Sequence, residues 1–263
     1  MQVTGNVFVV TGGGNGIGRE VVLGLLDRGA RVAAVDLSAD GLAETASIAR
    51  AADRLSTHTV DITDRGAVDA LPEAVHAAHG RVDGLLNVAG IIQPFVRFAE
   101  LEPRQMEKVM AVNFWGVVHT TQAFLPHLTT RREAAVVNVS SMGALAPVPG
   151  QSVYGASKAA VMLLTEALYA ELRDTTVSVT VVFPGGVATH IAENSGASIP
   201  GRSADAADSA GSLTTAPDAA RQIIEKGVEK GHFRVVIGKD AIMLDRLSRL
   251  SPRRATELIA KKM

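Results

Sequence analysis

The run Thr11-Gly12-Gly13-Gly14-Asn15-Gly16-Ile17-Gly18 joins a short apolar segment, Val7 to Thr11, to a helical pattern, Gly16 to Arg28, and it limits what the chain can become. Glycine lets a backbone turn tightly and approach a bound group closely, and a helix start offers free N–H groups and the positive end of its dipole. A strand before and a helix after such a turn is the context in which a glycine-rich loop cradles a pyrophosphate. The first expectation is therefore a dinucleotide site inside a βαβ unit.

The rest of the chain continues that alternation. Strand-like runs follow at Arg31 to Asp36, Thr57 to Val60, Val82 to Asn87, Ala135 to Val139, Val177 to Phe183 and Phe233 to Ile237. Helical patterns lie between them at Leu42 to Ala52, Arg65 to His79, Pro103 to Leu125, Ser157 to Arg173 and Asp218 to Lys230. Several strands are apolar throughout, as expected when helices cover both faces of a parallel sheet. No repeat or linker divides the chain, so the fold class is α/β: one doubly wound, Rossmann-type domain over 1–263, with seven strands and helices on both faces. Asn194 to Ala216 is rich in Ala, Ser, Gly and Asp, which predicts a substrate lid near 190–216. A basic helical tail is expected near 240–263.

Composition removes several kinds of function. The 263 residues are 47% hydrophobic with a formal net charge of −1, so a large core is available and no global field would collect nucleic acid. The absence of cysteine excludes disulfides, thiolate metal sites and a cysteine nucleophile. No signal peptide is evident, and no apolar run approaches the roughly 18 residues of an integral membrane segment, so a cytoplasmic location is expected. Seven histidines show no ligand spacing; no metal is expected, and His190 is read as a lid or substrate contact.

Asp36 ends the second strand about 20 residues past the glycines, where a carboxylate can accept hydrogen bonds from adenosine ribose hydroxyls and repel a 2′-phosphate. Its neighbours in that region, Asn15 and Leu37, supply no cation to receive such a phosphate, so the expected cofactor is NAD. Asp61, with Ile62 beside it, ends the third strand and is a candidate partner of the adenine.

Tyr154 and Lys158 are spaced i, i+4, which puts their side chains on one helix face. A nearby ammonium would lower the phenol pKa from its ordinary value of about 10, making Tyr154 a general base in oxidation and an acid in reduction. Such a pair is frequent by chance, and its meaning depends on what accompanies it.

With Thr11-Gly12-x-x-x-Gly16-x-Gly18, Asn87-Val88-Ala89-Gly90, Asn113, Ser140-Ser141, Tyr154-x-x-x-Lys158 and Pro184-Gly185-Gly186-Val187-Ala188-Thr189 in order, the chain resembles the short-chain dehydrogenase/reductase family. The resemblance implies that Ser141 hydrogen-bonds the substrate oxygen, Tyr154 exchanges its proton, Lys158 holds the nicotinamide ribose and Asn113 keeps a water in a relay behind the lysine. It further implies cofactor contacts from Gly12, Asn15, Gly16, Ile17 and Gly18, from Asn87, Ala89 and Gly90, from Pro184 and Gly185, and from Val187 and Thr189 at the carboxamide. Val88 departs from the second Asn often found there.

The same resemblance places Ile91, Ile92, Gln93, Met142, Ala144, Leu145, Val148 and Ile191 around the substrate, which suits a hydrophobic secondary alcohol or ketone as the small-molecule partner. Two alternatives stand beside that reading: a 3-oxoacyl thioester reductase, and a catalytically silent NAD-binding sensor. A homotetramer is expected because Ala159 to Leu164, Ala167 and Leu168 spread apolar surface around the helix, and Phe114 and Trp115 would join the interface. The tail carries Arg246, Arg249, Arg253, Arg254, Lys261 and Lys262 among Leu244, Leu247, Leu250, Leu258 and Ile259. It would rest on a neighbouring subunit or on an anionic membrane.

Overall fold

The computed structural model describes residues 1–51, 53–189, 191–197 and 213–261. His190 and most of the expected lid, 198–212, lie outside the described residues.

Seven strands pair in parallel in the order β3-β2-β1-β4-β5-β6-β9, formed by β1 (Val7–Thr11), β2 (Arg31–Asp36), β3 (Leu55–Thr59), β4 (Gly84–Asn87), β5 (Ala134–Val139), β6 (Val177–Pro184) and β9 (Arg234–Ile237). A short pair, β7 (Val187–Ala188) and β8 (Thr214–Thr215), stands apart. Side chains alternate between two buried faces. Phe8 and Val10 of β1, with Val32 and Ala34 of β2, pack under α1 (Gly16–Asp27) and α2 (Ala39–Ala49). The same face receives α9 (Ala216–Gln222) and the π-helical stretch Ile223–Glu229. On the other face, Val7, Val9, Ala33 and Val35 meet α3 (Arg65–Asp69), α4 (Leu71–His79), α6 (Gly116–Leu128) and α7 (Ser152–Glu171). Both faces are thus covered, which is why these strands carry so few polar side chains.

The boundaries depart from the sequence expectation where local chemistry decides. The helix expected over Arg65 to His79 divides at Ala70, because Pro72 lacks an N–H and sits in the first turn of α4 instead. The long helix expected from Pro103 becomes α5 (Pro103–Met110), one π-helical turn over Ala111–Trp115, and α6. The tail forms α10 (Lys239–Leu250) and α11 (Pro252–Ala260), and its Leu244, Ala255 and Ile259 pack on Ala146, Met142 and Val148 of the same chain. Part of the apolar face expected to meet a neighbour or a membrane is therefore used internally. Ahead of β8, the described start of the lid region contains a short helix, α8 (Ile191–Asn194). No helix among the described residues is long and apolar enough to cross a membrane.

At the sheet edge, the Ser56 hydroxyl lies 2.8 Å from Nε2 of both His58 and His79, and Arg31 Nε donates to His79 Nδ1 at 3.3 Å. Burial is the largest cause holding both imidazoles below their ordinary 6.5, and for His79 the Arg31 cation and His58 act in the same direction. A folded-state pKa below the unfolded one means the stabilisation is complete above about pH 6.5 and is lost as pH falls through the folded values. Urea denaturation at pH 7.5 and 5.0 should show a steeper acid loss for the wild type than for a His58→Gln/His79→Gln variant, and parallel losses would refute this origin.

Candidate active site

β1 and β4 are neighbours, yet the chain leaves β1 for α1 on one face and leaves β4 toward α5 and α6 on the other. The gap beyond their C-terminal ends is the topological switch point, where doubly wound sheets take their ligands. Here it is a cleft of about 750 Å³ lined by the ends of β1, β2, β4, β5 and β6 and the loops that follow them.

One half of the cleft is built from the glycine turn. A Cβ on Gly12, whose φ is +74°, would lie 2.9 Å from the backbone of Ala89, and one on Gly18 would collide with the Gly12 carbonyl oxygen. These two residues must be glycine for β1, α1 and the β4 loop to close on one another. Asn15 caps α1, its Oδ1 accepting from Gly16 N at 2.6 Å. Arg19 N donates to Asn15 O, which leaves the N–H groups of Ile17 and Gly18 without a partner among the described residues. Two unpaired donors at a helix N-terminus, in a cradle that added Cβ atoms would obstruct, fit a pyrophosphate.

Asp36 closes the far end: its Oδ2 accepts from Gly14 N and its Oδ1 from Ser38 N, each at 2.9 Å. Leu37, Asp61 and Ile62 line the cleft beside it. The sequence reading overlooked Arg19, a cation on this same wall. Its guanidinium is already committed to the Gly14 carbonyl, Thr45 Oγ1 and the Glu44 carboxylate.

The other half holds the hydroxyl chemistry. Tyr154 and Lys158 both reach the cleft from the first turns of α7, and Ser141 faces them from the end of β5. Ser140 turns away, its Oγ donating to Lys158 O at 2.7 Å. The Ser141 side chain stands beside the Tyr154 phenol and favours its charged form, and Ser141 Oγ accepts from Gly143 N at 3.1 Å. Burial pushes the Tyr154 phenol above its ordinary value of 10.0, and Ser141 opposes that shift. The expected depression by Lys158 is not among these influences. Lys158 is itself buried, donates to Val139 O at 3.0 Å, and is pushed down to about 8 by that burial. Gly90 makes room for it, since a Cβ there would stand 3.0 Å from Lys158 Nζ and 3.3 Å from Asn113 Oδ1.

Asn113 sits on the π-helical turn, fully buried. Its Oδ1 accepts from Ile91 N at 2.9 Å, while its Nδ2 donates to Ile91 O and to Ser157 Oγ. The side chain thus ties the loop after β4 to α7. Ala89, Gly90, Pro184, Gly185, Val187 and Thr189 complete the lining. Asn87 is placed differently: its buried amide pairs with Thr120, Thr121 and Asn138, behind the cleft. Of the expected substrate neighbours, Ile91, Ile92 and Ile191 line the cleft; Met142 and Val148 pack against the α10–α11 cluster, and Gln93 is wholly buried against the start of α7. Asp240, also overlooked, accepts from Gly186 N at 2.7 Å and so fixes the loop after β6. Among the described residues, no group of three or more His, Asp or Glu side chains is arranged to hold a metal.

Comparisons with known proteins find similarity along most of the chain. The sequence profile described as short chain dehydrogenase matches residues 6–199. A Mycobacterium tuberculosis protein with the provisional name oxidoreductase SadH is 38% identical, covering 97% of this chain and 94% of that protein. The 3-oxoacyl-[acyl-carrier-protein] reductase FabG of Thermotoga maritima is 32% identical over 73% of this chain and 78% of its own. Among solved structures, a short chain dehydrogenase/reductase from Burkholderia phymatum in complex with NAD superposes with a TM-score of 0.86 at 28% identity, covering 97% of each chain. A short chain dehydrogenase from Burkholderia cenocepacia in complex with NADP gives 0.81 at 26% identity, covering 98% of this chain and 99% of that one.

Replacing Gly18 with Ala should push α1 off the glycine turn, costing about 1–3 kcal/mol of stability, as overpacking does, and most of the affinity for a dinucleotide. Thermal melts and NADH fluorescence titration measure the two effects; a variant that binds NADH as the wild type does would contradict the packing described.

Proposed function

Because the chain belongs to the short-chain dehydrogenase/reductase family, we propose that it is an NAD(H)-dependent oxidoreductase interconverting a hydrophobic secondary alcohol and its ketone. The observation that carries this reading is the meeting of the Tyr154 phenol and the Ser141 hydroxyl at the cleft wall, with the Lys158 ammonium one helical turn further along α7. Bound NAD(H) would supply the hydride acceptor or donor. Tyr154 takes the hydroxyl proton of an alcohol during oxidation and returns it to the carbonyl oxygen during reduction. Ser141 holds that oxygen, and Lys158 binds the ribose. Asn113 serves the proton path through the segment it ties down.

NAD over NADP is supported by the fixed charge of Asp36 and by the engagement of Arg19, the cation of that wall, with Glu44 and Gly14. Ile91, Ile92 and Ile191 on the lining support an apolar substrate. Reduction of a 3-oxoacyl thioester is the second reading, favoured by the similarity to the Thermotoga maritima reductase. A panel of hydrophobic alcohols, ketones and acyl thioesters, assayed with NAD(H) and NADP(H), separates the two. A higher kcat/KM with NADP(H) would overturn the cofactor reading, and Asp36→Ala should erode the preference for NAD.

The chain is proposed to act as a homotetramer, since Leu163 and Tyr169 on α7, Trp115 and Phe233 all stand exposed. A monomer by light scattering at micromolar concentration would refute it.

Tyr154→Phe should retain NADH binding and lose turnover by about 10²–10⁴-fold, the range of general acid–base contributions. Oxidation needs the phenolate and reduction the phenol. Because burial raises the phenol pKa, oxidation should climb with pH above neutrality, while reduction holds until the pH approaches that raised value. Near-wild-type turnover in the variant, or flat profiles in both directions, would remove Tyr154 from the proton step.

A further inference from the structure

We propose that Gln93 is the positioning residue for Tyr154, capping α7 from a different part of the chain. The inference rests on the reading of Tyr154 as proton carrier, and nothing in that reading assigns Gln93 such a part.

A helix start leaves backbone N–H groups unpaired, and a Ser, Thr, Asp or Asn at the cap position commonly accepts from the second or third of them. At α7 the cap position is Gln151, which makes no such bond. The N–H groups of Val153 and Tyr154 donate instead to Gln93 Oε1, at 2.8 and 2.9 Å, across 60 and 61 positions of sequence. Gln93 Nε2 donates to Gly150 O at 3.0 Å, holding the turn that precedes the helix. Gln151 Nε2 in turn donates to Gln93 O at 2.7 Å. The Gln93 side chain has no exposure to solvent. A buried amide in this setting is retained through its hydrogen bonds, since unpaired it would be costly.

The other end of the Tyr154 residue is held from the same loop. Ser157 Oγ donates to Tyr154 O at 2.7 Å and accepts from Asn113 Nδ2, and Asn113 Oδ1 accepts from Ile91 N. The N–H and the C=O of Tyr154 are therefore both referred back to residues 91–93. The phenol oxygen stands at the far end of a rigid ring, so a small rotation of its backbone is magnified at the atom that moves the proton. A misplacement near 1 Å can cost about 10²-fold in rate.

Two substitutions separate positioning from packing. Gln93→Glu keeps an oxygen that can accept from Val153 and Tyr154, whereas Gln93→Met keeps the length of the side chain and removes the acceptor. If Gln93 only fills space, Met is the mild change and the buried carboxylate the harsh one. If it positions Tyr154, the order in kcat reverses. The chain has two tyrosines, Tyr154 and Tyr169, so tyrosine labelled with ¹³C at Cζ gives two resonances, assigned with Tyr169→Phe. This readout needs no turnover.

For Gln93→Met the expected result is a shifted or broadened Tyr154 resonance and a kcat lower by about 10²-fold, with NADH affinity unchanged. For Gln93→Glu the expected result is a sharp Tyr154 resonance titrating at higher pH than in the wild type, with most of kcat retained at the variant's own optimum. Should Met fail to fold, Gln93→Asn withdraws the amide by one methylene and carries the same expectation as Met. An unmoved Tyr154 resonance in Met or Asn overturns the proposal, as does a Glu variant that loses as much kcat as Met. A wild type inactive on every alcohol and ketone would defeat the catalytic reading alone, and the resonances would still decide whether Gln93 places the ring.

Discussion

The cleft exists because two adjacent parallel strands send their chains to opposite faces of one sheet. β1 and β4 run side by side with Thr11 opposite Asn87, and beyond that register the chain parts into the glycine turn on one side and the Val88-Ala89-Gly90 loop on the other. The loops must then be held close without being filled, and glycine is the residue that permits it. Gly12 lies where any side chain would strike the backbone of Ala89, and Thr11 Oγ1 accepts from Val88 N and Ala89 N at 3.1 and 3.2 Å. The opening is kept narrow by backbone contact and kept open by the divergence of the helices.

Within that opening the polar groups are organised by burial. Lys158 is an ammonium taken out of water that donates to Val139 O among the described residues. An isolated buried charge is unfavourable, and it responds by losing basicity. Tyr154 responds in the opposite direction, because for a phenol the charged form is the deprotonated one. Burial thus keeps the phenol protonated while it eases proton loss from Lys158, and the tyrosine depends on what favours the charge on its oxygen. Ser141 stands beside that oxygen and favours its charged form, against the effect of burial.

The sequence made the architecture and most of the lining legible because both rest on local patterns. Apolar runs such as Ala134–Val139 mark a doubly covered strand, and Gly12, Gly16 and Gly18 mark a turn that few other residues could make. What escaped depends on contacts between distant segments. β3 begins at Leu55, before the expected Thr57, because its pairing with Val32 and Ala33 extends it through residues with no apolar pattern. α7 begins at Ser152, ahead of the expected Ser157, because its cap is supplied by Gln93, whose type and distance in sequence give no local sign. Arg19 was passed over because the sequence near Asp36 offers no cation, whereas one helical turn of α1 brings it there.

The tail shows the same limit from the other side. Its basic, amphipathic pattern suggests an appendage, but Asp240 at the start of α10 accepts from Gly186 N, in the loop that carries Val187 and Thr189. Gly185 and Gly238 lack side chains where the Asp240 carboxylate would meet them, so three glycines and one acid form a single joint. Further along, Leu244, Ala255 and Ile259 pack on Ala146, with Met142 and Val148, just past Ser141. One pair of helices therefore touches both walls of the cleft, the loop after β6 through a hydrogen bond and the loop after β5 through apolar contact. α10 and α11 thus brace the loops that carry Val187 and Ser141, which makes the C-terminal segment part of the site's framework.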